Sequence, residues 1–392
     1  MRPLDGVRVL ELGNYMAGPF AGMLLADLGA DVVKVEHPKG GDYARSLGPF
    51  PKDSADGAGF LRLNRNKRSV ALDLKRPEGA EAFRALARRA DILIENFRPG
   101  TMDDLGLGYA ALSRLRPELV YVAISGFGAT GRDRDRPGLD LIVQAESGLM
   151  SITGEPEGAP VKVGVPIVDL SAGLYGALAA VSALRARERG GTGTFVDLSL
   201  LDVGVSLAVW ESGVFFTTGE VPRRLGSAHR VDAPYQAYRT KDGSIAIGAT
   251  SPRAWRAFLD LTGLDELRGE EWSTAHRRRE RASELAAIIE RVTPTRTTEE
   301  WFAALQRAGV PAGRIRGYDE VFSDAALVER GMIADIASSL GTLRTIGSPL
   351  RMGELTPQLR RAGPRLGEHT REVLREAGVP SADIDALVRS AP

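Results

Sequence analysis

The sequence predicts an α/β protein: a doubly wound parallel sheet in a large domain, followed by a smaller α+β domain. Three observations predict it. Short β-branched runs alternate with helix-length stretches through the first half of the chain. A turn-rich, charged segment, TTGEVPRRLGSAHRVDAPYQ (217–236), breaks that alternation. The 392 residues are enough for two cores.

The run VRVLEL (7–12) reads as a strand. After Gly13 come an apolar-periodic helix over 19–28 and a second strand, DVVKVE (31–36). The pattern recurs with SVALDL (69–74), the helical PEGAEAFRALARRA (77–90), DILIENF (91–97), a helical stretch near 102–115 and VYVAIS (120–125). Strands alternating with helices of this length pair in parallel. A long apolar helix follows over 167–186, then the strand TGTFVDLSL (192–200) and a helical run over 201–216. Beyond the break, YRTKDGSIAIGA reads as a hairpin turning at Asp242 and Gly243, with amphipathic helices over 253–262, 279–292 and 297–308. The expected domains are therefore 1–216 and 217–323. The tail, 324–392, holds GTLRTIGSPLRM and a final helix, short elements that need a larger body to pack against.

Composition narrows the function. Lys+Arg and Asp+Glu balance at 51 each, so no overall field recruits nucleic acid or an anionic membrane, and a small-molecule partner is expected. The absence of Cys excludes disulfides, thiolate metal sites and a thiol nucleophile. The start, MRPLDGVRVLELG, lacks the layout of a signal peptide, and a cytoplasmic location is expected. The stretch 167–186 is nearly long enough to span a bilayer, but Asp169, Arg185 and its Gly and Ser positions point to a buried helix packed through its small residues.

Gly126, Gly128 and Gly131 match G-x-G-x-x-G after a strand. The charged RDRDRPG that follows cannot continue as a nucleotide-binding helix, so this is read as a turn. Gly190, Gly191 and Gly193 lie between a helix and a strand and read as a helix stop. The histidines are His37, His229, His276 and His369; none pairs at metal-ligand spacing, and no metal is expected. Asp169 ends VKVGVPIVD and opens the long apolar helix. It reads either as an N-cap or as a nucleophile favoured by the helix dipole and walled by apolar neighbours.

Five blocks decide between these readings. VRVLELGNYMAGPFAGMLLADLGADVVKVEHPKGGD, NRNKRSVALDLKRPEG (64–79), ENFRPG (95–100), ISGFG (124–128) and LGEHTREVL (366–374) resemble, in order and spacing, the family III coenzyme A transferases. Their fold is shared by α-methylacyl-CoA racemases. The resemblance implies a Rossmann-like large domain to which 324–392 returns, a small middle domain, and an interlocked homodimer with the active site between domains of the two subunits. It implies a CoA thioester as substrate, with no tightly bound cofactor, and a carboxylic acid as the other partner.

Residue by residue, the resemblance places the catalytic aspartate at Asp169. It assigns His37, Leu72, Lys75, Asn96, Phe97 and Leu105 to CoA, with Leu72 and Phe97 offering apolar faces to the adenine. The acyl pocket falls on Tyr15, Met16, Leu47, Gly138, Leu139 and His229. His37 replaces an arginine of the formyl-CoA enzymes, and Asp104 replaces a basic CoA contact. Leu47, Gly59, Leu139 and the segment from Gly226 differ from the oxalate-specific enzymes, which argues against oxalate. Leu139 stands where the racemases need a basic histidine, so racemisation is disfavoured; a non-catalytic CoA-binding relative would lack Asp169. QAESGLMSITGEP (144–156) and EVPRRLG (220–226) resemble the succinyl-CoA-using branch, with Arg223, Arg224, Arg230 and His229 as candidates for a distal carboxylate.

Overall fold

The computed structural model describes residues 2–389. Its main sheet has the strands β1 (Arg8–Leu12), β2 (Asp31–Glu36), β3 (Arg68–Ala71), β4 (Ile92–Glu95), β5 (Val120–Ser125) and β6 (Thr194–Ser199). Their order is β3-β2-β1-β4-β5-β6, and all neighbours are parallel. The chain winds outward from β1 to β3, then returns to lay β4 on the other edge of β1. Strand order therefore reverses between β1 and β4, where the carboxyl ends of a parallel sheet open a ligand crevice.

Alternate strand residues face opposite sides. Val9, Val32, Ile92, Ile94 and Val122 enter one core, while Leu10, Val33, Val35, Leu93 and Tyr121 enter the other. Helices cover both faces, which is why the strands read as nearly continuous apolar runs. The helices up to residue 218 are, in chain order, α1 (Ala17–Asp27), α2 (Ala58–Leu63), α3 (Pro77–Ala87), α4 (Thr101–Asp104), α5 (Tyr109–Leu115), α6 (Asp140–Glu146), α7 (Leu149–Ile152), α8 (Ile167–Glu188), α9 (Leu200–Ser206) and α10 (Val209–Thr218). The predicted single helix over 201–216 is thus two, α9 and α10, bent by 69° at their break.

The helix α8 is long and apolar enough to cross a membrane, and half of its most apolar window is buried. Ala172, Gly173, Gly176, Ala177 and Ala180 form its buried stripe, the small face the sequence predicts. A Cβ at Gly173 would lie 2.9 Å from the Ala17 carbonyl oxygen, so α1 and α8 meet at a distance only glycine allows.

The chain divides into two compact units: residues up to Leu149, Lys162–Gly213 and from Ala325 onward, and Met150–Val161 with Val214–Asp324. The segment Met150–Val161 groups with the second unit although the sequence reading put it in the first. In the second unit, strands Tyr235–Arg239, Ser244–Gly248 and Ala312–Arg314 form an antiparallel sheet, backed by a core that includes Trp255, Phe258, Trp272 and Trp301. The predicted helix over 279–292 is split into Ala275–Glu280 and Ala282–Ile289, because Arg281 departs from helical geometry at ψ 32°. The tail packs on the first unit beside β3: Arg68 bonds Glu372 and Glu376, and the Ser69 N–H donates to His369 Nδ1.

Candidate active site

The crevice between β1 and β4 is closed at its floor by two asparagines. The Asn14 N–H donates to Asn96 Oδ1 at 2.7 Å, and Asn96 Nδ2 returns a bond to the Asn14 carbonyl at 2.9 Å. These bonds lock the loops after β1 and β4 together where strand order reverses. The following Phe97 N–H donates to Glu95 Oε2 at 2.7 Å, and burial raises the Glu95 pKa to about 7.

A buried charge network holds the β1 loop from below. Lys34 Nζ bonds Glu11 Oε1 at 2.9 Å and the Gly13 carbonyl at 2.6 Å, and pairs with Asp42 Oδ2 at 2.9 Å. Lys67 Nζ takes the other Glu11 oxygen at 2.7 Å. Burial alone would lower the Lys34 pKa, but the surrounding carboxylates, Glu11 foremost, outweigh it and raise it. Lys67 has fewer such partners, and burial lowers its pKa to about 8. Asp42 Oδ1 in turn accepts the Tyr15 N–H at 2.9 Å. Tyr15 sits in the left-handed region at φ 65°, a conformation that costs a tyrosine about 1–3 kcal/mol and is held by this network.

Asp169 is the third residue of α8, not its N-cap, which is Pro166. The capping work is done by another residue: Asp140 Oδ1, at the start of α6, accepts the Val168 N–H at 3.0 Å and the Asp169 N–H at 3.3 Å. Proline has no side-chain oxygen to accept these donors, so a distant carboxylate replaces the local cap. Asp140 Oδ2 is held by Gln144 Nε2 at 2.6 Å, and Gln144 Oε1 accepts the Val163 N–H at 2.9 Å. The Asp169 carboxyl is thereby left free of capping. Burial first, and then the Asp140 charge, raises its pKa to about 7.

The glycine motif acts by close approach. A Cβ on Gly126 would come within 2.7 Å of the Gly138 Cα, and one on Gly138 within 2.5 Å of the Gly126 Cα. This backbone stacking draws the approach to α6, and with it Asp140, onto the end of β5. No helix follows the motif, as the sequence predicts. Ser125, just before it, has a buried Oγ with no hydrogen-bond partner.

A cavity of about 920 Å³ gathers these parts. It is lined by Asp169 and Asp140, by Tyr15 and Met16, by Asn96 and Phe97, by Gly138 and Leu139, and by Leu47. Other expected residues sit on neighbouring strand ends. Exposed His37 follows β2, its Nε2 3.8 Å from Asp73 Oδ1, and exposed Lys75 follows β3. Leu105 is half-buried against the second core, and Asp104 is exposed. Leu72 departs from expectation: it is 2 % exposed and packed into the core, so its side chain offers no free face to an adenine. His229 belongs to the second unit, stacked on Tyr235 at 5.0 Å. Among the described residues no group of three or more His, Asp or Glu could hold a metal.

Residues 4–370 match the model of CoA-transferase family III. The chain belongs to this family. It is 39% identical over 381 residues to a succinate–glutarate CoA-transferase of Agrobacterium fabrum, covering 95% of each chain. It is 38% identical to a succinyl-CoA:mesaconate CoA-transferase of Haloarcula marismortui, covering 97% of each. The crystal structure of a CaiB/BaiF family protein from Brucella suis is 36% identical, with a TM-score of 0.87 over 96% of this chain and 99% of that one. The protein is thus a family III CoA-transferase, moving CoA between an acyl-CoA and a carboxylate. Sequence reading of this transferase missed Asp140 as the helix acceptor, Gln144, Ser125 and the buried lysines. Lys34 left a signal: it is a charge inside the run DVVKVE, as Glu11 is inside VRVLEL, where a central strand requires a partner.

Proposed function

We propose that Asp169 is the nucleophile, that the donor is succinyl-CoA and that the acceptor is a short dicarboxylate. The observation that carries the first point is an uncapped, buried carboxyl in the first turn of α8, facing the cavity, with its pKa raised to about 7. An Asp169 oxygen attacks the thioester carbonyl, the C–S bond breaks, and a mixed anhydride forms with CoA thiolate. The thiolate attacks the aspartyl carbonyl and expels the donor acid, leaving CoA on Asp169 as a thioester. The acceptor carboxylate then attacks that thioester, and the released thiolate attacks the acceptor's acyl carbon, restoring the Asp169 carboxylate. An anhydride retains the thioester's reactivity, which a serine ester would lose. The glutarate and mesaconate named for the relatives support the acceptor class.

The test is trapping. With acyl-CoA and hydroxylamine, the enzyme should release the donor acid and carry a hydroxamate at Asp169, found by peptide mass analysis. In deuterated water a 2-methylacyl-CoA should gain no α-deuterium, since Leu139 cannot carry a proton. Deuterium uptake at the turnover rate without a trapped aspartyl group would overturn the reading.

We also propose that the working form is the interlocked homodimer. Support comes from α8, whose outward residues Leu174, Leu178 and Tyr175 are exposed in a single chain at 55, 62 and 41 %. Native mass measurement should give a dimer that resists dilution; a fully active monomer would refute it.

A further inference from the structure

We infer that Lys162 selects acids carrying a second carboxylate, by taking that distal group while the first carboxylate meets the centre at Asp169. This rests on the proposed reading of Asp169 and of the diacid acceptor. Three cations line the cavity: Arg98, Arg136 and Lys162. Arg136 is already engaged, with Glu146 Oε1 at 2.7 Å and its guanidinium 4.3 Å from the Phe127 ring centre. Arg98 directly follows Asn96 and Phe97 at the end of β4, the positions assigned to CoA. Lys162 differs from both. Its Nζ reaches only the carbonyls of its neighbours Val163 and Gly164, at 3.2 and 3.4 Å, and among the described residues no carboxylate pairs with it.

The backbone beside Lys162 is also fixed relative to that of Asp169. Gln144, fully buried, holds the Val163 N–H with one end of its amide and Asp140 with the other, and Asp140 holds the N–H groups of Val168 and Asp169. One strut from α6 therefore braces both ends of the backbone that joins Lys162 to Asp169. The charge balance calls for such a cation. When CoA is on Asp169 that residue is neutral, but Asp140 remains beside it, and a diacid brings two further negative charges. The attacking carboxylate must keep a free oxygen, so the counter-charge is required at the distal end, where an unpaired anion leaving water would be penalised. A lysine's four-carbon stem suits acids of differing length better than a rigid guanidinium fork.

The experiment compares glutarate with valerate, a monoacid of the same chain length, as acceptors for wild type, Lys162→Ala and Lys162→Arg. The glutarate-to-valerate ratio of kcat/KM should fall at least about tenfold in Lys162→Ala, mainly through the KM for glutarate, and recover in large part in Lys162→Arg. A wild-type preference for glutarate that survives Lys162→Ala overturns the inference alone. A wild-type enzyme with no preference overturns the diacid reading and the inference together, while leaving the aspartyl trapping result standing.

Discussion

Replacing Asp169 by alanine should lower CoA transfer at least about a thousandfold and leave a folded protein, because in the proposed mechanism Asp169 is the group that forms the anhydride. The helix does not depend on this side chain for its cap, since Asp140 accepts the N–H groups of Val168 and Asp169. Retention of more than about a tenth of activity would remove Asp169 from the mechanism. The raised pKa adds a pH signature. Attack requires the anion, so kcat/KM should climb with pH through about 7. Asp140→Asn removes the neighbouring negative charge and should move that limb to lower pH.

Stability should move the opposite way. The Asp169 pKa is raised from 3.8 to about 7, so the fold favours the protonated form. That contribution is fully present below pH 3.8 and is lost as pH rises through 7. The ionised carboxyl then costs up to about 4 kcal/mol. Thermal melting should therefore show Asp169→Ala gaining stability over wild type at pH 8.5 relative to pH 4. An unchanged difference across that range would show that Asp169 titrates normally.

Glu11→Leu should destabilise the protein by about 3–5 kcal/mol, the cost of breaking a buried ion network from one side. Glu11 is fully buried and serves Lys34, Lys67 and the Gly13 N–H at once. Lys34 keeps Asp42, but Lys67 loses the one carboxylate that pairs with it among the described residues. Its pKa is already down to about 8, so without Glu11 it must bury a charge or give up its proton. Adding Lys67→Met should recover part of the loss, because an apolar residue of similar length removes the orphaned ammonium. Denaturant unfolding reads both variants; a loss below about 1 kcal/mol for Glu11→Leu would mean that the network carries little of the fold's stability.

Most elements of the main sheet were legible because their signals are local. A run such as DVVKVE is a strand wherever it packs, and helix-length spacing between runs implies parallel pairing. Helix boundaries were less legible where one apolar pattern crosses a break, as between α9 and α10, since a bend leaves the periodicity almost intact. At the site, the N-cap alternative for Asp169 fails because that reading considers only the residue and the turn after it, whereas the acceptor for the Val168 and Asp169 N–H groups is the distant Asp140. Leu72 was misjudged for a related reason: an apolar residue at a strand end reads the same whether it faces a ligand or the core.

The residues by themselves determined the alternation of strand and helix, the small-residue stripe of α8 and the family to which the chain belongs. Only the tertiary structure decided that β4 returns beside β1, that Gly126 stacks on Gly138, and that Asp140 comes to lie against the first turn of α8. Propensity and periodicity act over a few residues, whereas Asp140 and Asp169 lie 29 apart and meet only after the sheet has formed between α6 and its neighbours. Burial first, and then the Asp140 charge, raises the proton affinity of Asp169, and no local pattern records either.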